Sequence, residues 1–127
     1  MRVFIASGDR TFRSALLLLV ETEPGMVVIG MSDRSDSSLA MVRVAQPEVL
    51  LLDYELARQG TAALIGDLQR LARPPKIIVL TINLQQKALA PGADAFVSKN
   101  VPPDDLLSAL RGMRSAAASE AVSFRLP

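Results

Sequence analysis

Apolar residues along this chain form five short unbroken runs, and the stretches between the runs carry apolar residues at helical spacing. The runs are Val3–Ala6, Val27–Gly30, Val49–Leu52, Ile77–Leu80 and Ala95–Val97. A strand with one face in water would alternate apolar and polar residues, so continuous runs such as VLLL and IIVL predict strands covered on both faces. We therefore expect a parallel sheet with helices on each side.

The intervening stretches carry the expected helix signals. The predicted helices are Thr11–Glu21, Asp36–Val44, Thr61–Leu71 and a last helix that opens at Pro102-Pro103. Ser35 is the predicted N-cap of the second helix. The stretch 84–89 is too short for a full helix before Pro91-Gly92, so we expect a short or irregular turn there.

The strand and helix order is βαβαβαβαβα, in a chain of 127 residues of which 50% are hydrophobic. That size and composition suit one domain with a real core, and the order predicts a doubly wound α/β fold. We place the domain at residues 1–118. The tail 119–127 has no periodic apolar face, so we expect it to fray or to pack through Phe124 alone.

The amino-acid composition limits the kinds of catalytic and metal-binding groups that the chain can have. The chain has 14 Lys plus Arg against 13 Asp plus Glu, and neither cysteine nor histidine. The net charge of +1 predicts no attraction of this domain to nucleic acid or to a membrane. Disulfides, thiolate nucleophiles, histidine bases and the usual zinc sites are excluded, so a bound metal would be a hard cation. With neither a signal peptide nor a membrane-spanning run, we expect a soluble, cytoplasmic protein.

Polar side chains stand where four of the predicted strands end. They are Ser7-Gly8-Asp9, Asp53, Thr81 and Lys99. In doubly wound sheets, ligands bind outside the carboxyl ends of the strands, so these groups should converge. A carboxylate that attacks, with a hydroxyl and an ammonium that hold the transferred oxygens, suits phosphoryl transfer.

The motifs PEVLLLD, IIVLT and GADAFVSK closely resemble the receiver domain of two-component response regulators, over residues 2–113. The resemblance implies a flavodoxin-like sheet with strand order 2-1-3-4-5. It implies that Asp53 accepts a phosphoryl group from a sensor histidine kinase, with Thr81 and Lys99 contacting that group. Phe96 matches the family's rotating aromatic, which would shift together with Thr81 to alter the face formed by the 84–89 segment, the fifth strand and the last helix.

One departure from the family is important. The family places two acidic residues after the first strand to hold Mg²⁺, and in a gapless alignment those positions are Ser7 and Gly8, with Asp9 one place too late. Shifting the alignment by one residue would rotate the first helix by about 100° and turn its apolar face from the core. We therefore expect Asp9 to be a helix N-cap, and only a weak metal ligand beside Asp53. Loss of two carboxylates should weaken Mg²⁺ binding by orders of magnitude, so Mg²⁺ is a doubtful cofactor.

Each candidate residue also has a purely structural interpretation. Asp53 would cap a turn, Lys99 would pair with Asp53, Thr81 would be a β-branched strand residue, and Phe96 would belong to the core. Two functions in two-component signalling therefore remain open, and neither is that of a metabolic enzyme. In the first, Asp53 is phosphorylated weakly with poorly held Mg²⁺; in the second, the chain is a pseudo-receiver that binds proteins independently of phosphorylation.

The expected partners are a sensor histidine kinase or another signalling protein, with a second copy of the chain as a further candidate. The 84–89 segment is short, so we expect self-association through the first helix and the inner part of the last helix. The run Leu16-Leu17-Leu18-Leu19 is apolar all round, and we expect Leu17 and Leu18 to be its exposed members.

Overall fold

The apolar runs become the strands of one parallel sheet in the computed structural model, which describes residues 1–100 and 102–125, with side chains through 114 except at 101. The strands are β1 (Arg2–Ala6), β2 (Val27–Ser32), β3 (Val49–Asp53), β4 (Lys76–Thr81) and β5 (Ala95–Ser98). They pair in the order β2-β1-β3-β4-β5, all parallel. The predicted fold class and strand order are confirmed.

Helices cover both faces of this sheet. They are α1 (Arg10–Glu21), α2 (Ser35–Ala45), α3 (Tyr54–Ala57), α4 (Thr61–Gln69) and α5 (Pro103–Arg125), with 3-10 turns at Arg58–Gly60 and Leu84–Leu89. In the described part of the chain, none of these helices has the length and apolar character that a membrane span requires.

The core divides into two clusters, one on each face. Leu51 belongs to the cluster that packs against α1 and α5, whereas Leu50 and Leu52 belong to the cluster that packs against α2 and α4. Successive strand residues point to opposite faces. All five residues of β3 are buried, which explains why its sequence shows no polar alternation and why Asp53 ends the strand out of water.

Two details of the helices differ from the sequence predictions. Ser35 is the first residue of α2 rather than its cap; Arg34 holds the N-cap position without a side-chain hydrogen bond. The hydroxyl of Ser38 instead donates to the Arg34 carbonyl at 2.6 Å, so the serine side chains bond backward onto the helix start. Helix α5 continues past residue 118 to Arg125, across the predicted tail. The boundary at 118 stays a prediction, and the packing of Phe124 lies outside the described side chains.

The leucine run on α1 is only partly as expected. Leu16 and Val20 are buried, Leu17 is partly buried against the same cluster, and Leu18 is 69% exposed. Successive residues turn by about 100° around a helix, so Leu18 lies opposite the buried stripe and Leu17 lies at its edge. The prediction of an exposed pair is correct for Leu18 and wrong for Leu17.

Candidate functional site

Asp53 is the centre of the candidate site. It is the last residue of the central strand β3, and only 1% of its side chain is exposed. A carboxylate removed from water is costly unless it is paired with a cation and hydrogen-bonded. The surrounding elements must therefore supply both kinds of partner.

Three groups provide those partners. Ser7 Oγ donates to Asp53 Oδ2 at 2.8 Å, and the Glu55 amide donates to Oδ1 at 3.1 Å. Lys99 Nζ lies 3.2 Å from Oδ1 and 3.1 Å from Oδ2. Each carboxylate oxygen thus accepts from two donors. The predicted ion pair between Asp53 and Lys99 is confirmed, and Asp53 also caps the N-terminus of α3.

Lys99 is held from two sides. Its Nζ lies 4.3 Å from the centroid of the Phe12 ring, a cation–π distance, and its backbone amide donates to the Thr81 carbonyl at 2.8 Å. Only 14% of the lysine side chain is exposed. The sequence indicated Phe12 only as the start of the apolar face of α1. Its position over the ammonium depends on how closely α1 approaches β5. No local sequence pattern predicts that distance.

The loop after β1 is bonded tightly around Ser7, which is fully buried. Its amide donates to the Ser32 carbonyl at 3.0 Å, and its own carbonyl accepts from Arg13 Nη1 at 2.7 Å. Its hydroxyl also accepts from the Asp9 amide at 3.2 Å. Asp9 Oδ1 accepts from the Phe12 amide at 3.0 Å, so the predicted helix cap is confirmed. The role of Asp9 as a weak metal ligand stays a prediction.

The two positions directly after β1 supply no carboxylate for a magnesium ion, because they hold Ser7 and Gly8. Mg²⁺ requires oxygen ligands in near-octahedral geometry, usually with carboxylates among them. Here the Ser7 hydroxyl and the Lys99 ammonium point their hydrogens at Asp53, and Gly8 has no side chain. The described residues contain no group of three His, Cys, Asp or Glu residues arranged for a metal. A Cβ at Gly8 would make only ordinary contacts, at 3.6 Å to the Asp33 carbonyl oxygen.

Thr81, the predicted switch hydroxyl, is bonded elsewhere. It is buried at the end of β4, where its Oγ1 is hydrogen-bonded to Gln86 Oε1 and lies 3.1 Å from the Asn83 carbonyl oxygen. The Asn83 amide donates back to Thr81 Oγ1 at 3.1 Å. Gln86 carried no sequence signal as a site residue, because its role depends on the irregular path of the 84–89 turn.

Phe96, the predicted rotating aromatic, lies on the same side as Thr81. Its ring is partly buried against the second core cluster, with Lys87 Nζ 5.8 Å from the ring centroid. The structure therefore brings together Ser7, Asp53 and Lys99. It places Thr81 and Phe96 against the 84–89 turn instead.

Comparisons with known proteins show which family the chain resembles. The family model described as "Response regulator receiver domain" matches residues 3–111. The uncharacterized transcriptional regulatory protein YvfU of Bacillus subtilis (strain 168) is 28% identical over 115 residues, which cover 87% of this chain and 58% of that protein. The nitrate/nitrite response regulator protein NarL of Escherichia coli (strain K12) is 25% identical over 124 residues, 94% of this chain and 56% of that protein. The chain thus spans less than two thirds of these curated relatives.

The fold is shared with solved structures as well. The crystal structure of a two-component response regulator of the LuxR family from Aurantimonas sp. SI85-9A1 matches with a TM-score of 0.80 and 19% identity. The match covers 91% of this chain and 85% of that chain. At this identity the likeness concerns the fold alone.

Proposed function

Because this chain belongs to the family of response regulator receiver domains, we propose that it is an atypical receiver in which Asp53 accepts phosphoryl groups weakly or not at all. The observation that supports this most is the hydrogen bond from Ser7 Oγ to Asp53 Oδ2 at 2.8 Å. At the position where the family carries an acid for the metal, this chain has a donor that binds the phosphoacceptor itself.

The physical consequence concerns the nucleophile. A carboxylate attacks through a lone pair, and each Asp53 oxygen already accepts from two donors, with Lys99 common to both. Attack would require a carboxylate oxygen of Asp53 to give up its ion pair with Lys99 and the hydrogen bond that it accepts. Both interactions stabilise the resting arrangement. A divalent cation that could offset this cost has no suitable ligand set at Ser7 and Gly8.

The second candidate is a pseudo-receiver that binds other signalling proteins without phosphorylation. The completeness of the Asp53 network favours it, since the carboxylate is satisfied without any phosphoryl group or metal. Both candidates give the chain a role through protein contacts rather than turnover of a metabolite. A sensor histidine kinase or another signalling protein as partner, and the cytoplasm as location, belong to this proposal. A homodimer through α1 would rest on Leu18, since Leu17 is partly buried.

The test restores the acidic pair. Wild type, Ser7→Asp/Gly8→Asp and the same double variant carrying Asp53→Asn are titrated with beryllofluoride, a phosphoryl mimic, with and without millimolar Mg²⁺. We expect saturable, Mg²⁺-dependent binding in the double variant alone, because two carboxylates would then face the ion. Wild type should show no rise in melting temperature with Mg²⁺, since only a bound ligand stabilises by mass action.

Two results would contradict the proposal. Saturable stabilisation of the wild type by Mg²⁺ and beryllofluoride would show a working metal site without the restored acidic pair. Absence of binding in a folded double variant would show that Ser7 and Gly8 are not the metal positions. The variant with Asp53→Asn checks that binding, where it occurs, needs the phosphoacceptor.

A further inference from the structure

An apolar cavity of about 490 Å³ lies between α1 and the start of α5, on the opposite face of the sheet from α2 and α4. Leu16 and Leu19 of α1 line one side, and Val97 and Leu106 line the other. The volume falls in the range of roughly 300–1,000 Å³ that small-molecule sites occupy, and such sites are mostly apolar. Of the Asp53 partners described above, Lys99 lines this cavity and Ser7 and Glu55 do not.

The polar groups in its wall already have partners, and this determines the chemistry of a ligand. Thr22 Oγ1 donates to the Leu19 carbonyl at 2.6 Å, and Ser98 Oγ accepts from the Asn100 amide at 3.1 Å. Lys99 Nζ is paired with Asp53. Within the described wall, therefore, no unpaired charge is present. A charged ligand would lose its hydration without gaining a counter-ion. A neutral apolar ligand would have no such desolvation cost.

The rim favours a small molecule over a second copy of the chain. Leu18 is 69% exposed beside the cavity, and it is the one large apolar side chain of α1 that is mostly in water. A stable dimer buries about 800 Å² on each partner. One exposed leucine supplies a small part of that area, but it suits the mouth of a concave apolar site.

From these observations we propose that the cavity between α1 and α5 binds a neutral, apolar small molecule. Its wall includes Phe12 and Lys99, the two residues that contact each other beside Asp53. An occupant would therefore touch the residues that hold the phosphoacceptor, which would give this receiver an input other than phosphorylation. The proposal stands independently of whether Asp53 is phosphorylated.

The test uses two fluorescent probes that share one skeleton. N-phenyl-1-naphthylamine is neutral, and 1-anilinonaphthalene-8-sulfonate adds one negative charge. We expect saturable binding of the neutral probe at one site per chain, and binding of the sulfonate at least about tenfold weaker, because the wall offers no free cation. Non-saturable fluorescence, or equal affinity for the two probes, would overturn the proposal.

Matched variants locate the site. Ala15 lines the cavity on α1, whereas Ala40 is also an exposed alanine but lies on α2, across the sheet. Ala15→Phe should weaken the neutral probe at least about tenfold by filling space, and Ala40→Phe should leave its affinity unchanged. Equal effects of the two variants would place the probe elsewhere and overturn the proposal.

A second pair of variants changes exposed residues, at which a substitution is not expected to unfold the protein. Leu18→Glu should weaken the neutral probe, whereas Val44→Glu, at an 85% exposed position on α2, should not. Circular dichroism checks the fold of each variant, and sedimentation gives the oligomeric state. A wild-type dimer that Leu18→Glu converts to a monomer with stronger probe binding would identify a second copy as the occupant and overturn the small-molecule proposal.

Discussion

Two buried hydroxyls at strand ends have different hydrogen-bond partners, although both lie next to β3, the strand that ends at Asp53. Ser7 follows β1 and Thr81 ends β4, the two neighbours of β3 in the sheet. Ser7 donates to Asp53, whereas Thr81 is bonded to Gln86 and Asn83. The carboxylate is therefore held by the β1 side of the site and by Lys99, while the β4 side is bonded to the 84–89 turn.

The contrast divides the surroundings of Asp53 into two sides with different partners. On the β1 side, the Ser7 hydroxyl donates to Asp53, and the Lys99 ammonium pairs with the same carboxylate beneath the Phe12 ring. On the β4 side, Thr81 and Phe96, whose switching role stays a prediction, have Gln86 and Lys87 of the 84–89 turn as partners. The two halves can be tested separately by removing one donor at a time.

The largest effect should come from removing the cation that pairs with Asp53. Lys99→Ala leaves the Asp53 carboxylate buried without its counter-ion, which costs about 3–5 kcal/mol in buried pairs. Urea denaturation should show that loss in the free energy of unfolding. Lys87→Ala is the control, because Lys87 is exposed and its Nζ has a distant cation–π contact, 5.8 Å from the Phe96 ring centroid. This substitution should lower the free energy of unfolding by less than about 1 kcal/mol.

If Lys99→Ala and Lys87→Ala cost the same, the ion pair with Asp53 contributes no more than a surface contact. The double variant Asp53→Asn/Lys99→Met sharpens the test, since it removes both charges. It should recover most of the stability lost in Lys99→Ala, because a buried pair exchanged for uncharged groups is often neutral.

The next effect should come from Ser7. Ser7→Ala removes a buried hydrogen bond to a charged acceptor, and such bonds contribute about 1.5–3 kcal/mol. Urea denaturation should show a destabilisation in that range. A loss below about 0.5 kcal/mol would mean that Lys99 and the Glu55 amide satisfy Asp53 without help, and the comparison between the two hydroxyls would then carry no energetic weight.

Thr81→Val should cost less than Ser7→Ala. The substitution keeps the shape of the side chain and removes its bonds to Gln86 and Asn83, which are neutral partners near water, so the expected loss is about 0.5–1.5 kcal/mol. Urea denaturation of both variants under the same conditions checks the order. A larger loss for Thr81→Val would show that the β4 side, rather than the β1 side, holds the site together.

The smallest effect concerns a surface ion pair away from both sides. Arg111 Nε and Nη2 donate to Glu23 at 2.7 and 2.9 Å, and this bond holds the pKa of Glu23 below its usual value. A depressed folded-state pKa gives stability that is present above the unfolded pKa and lost as pH falls through the folded one. The melting temperature of the wild type should therefore be slightly higher than that of Glu23→Gln near neutral pH. In acid, the two melting temperatures should become equal. A gap that persists at low pH would contradict this.

Local patterns determined much of this protein. The apolar runs predicted the strands because a strand buried on both faces cannot alternate, and Asp9 was identified as a cap because its position before an apolar helical stripe is a local signal. The position of Asp53 at the carboxyl end of a buried strand followed from the apolar run before it, whereas the central place of that strand was implied by the family resemblance. Exposure of Leu18 followed from helical period, but the partial burial of Leu17 depended on how deeply α1 sits against the sheet.

The tertiary structure decided what each site residue bonds to. Ser7 and Lys99 each stand 46 residues from Asp53 in the chain, and their bonds to it depend on how the loops after β1 and β5 approach the end of β3. Phe12 over Lys99 and Gln86 against Thr81 arise in the same way. The physical reason is that secondary structure follows the short-range periodicity of the backbone, whereas a hydroxyl or ammonium bonds to whichever acceptor the packed elements bring within about 3 Å.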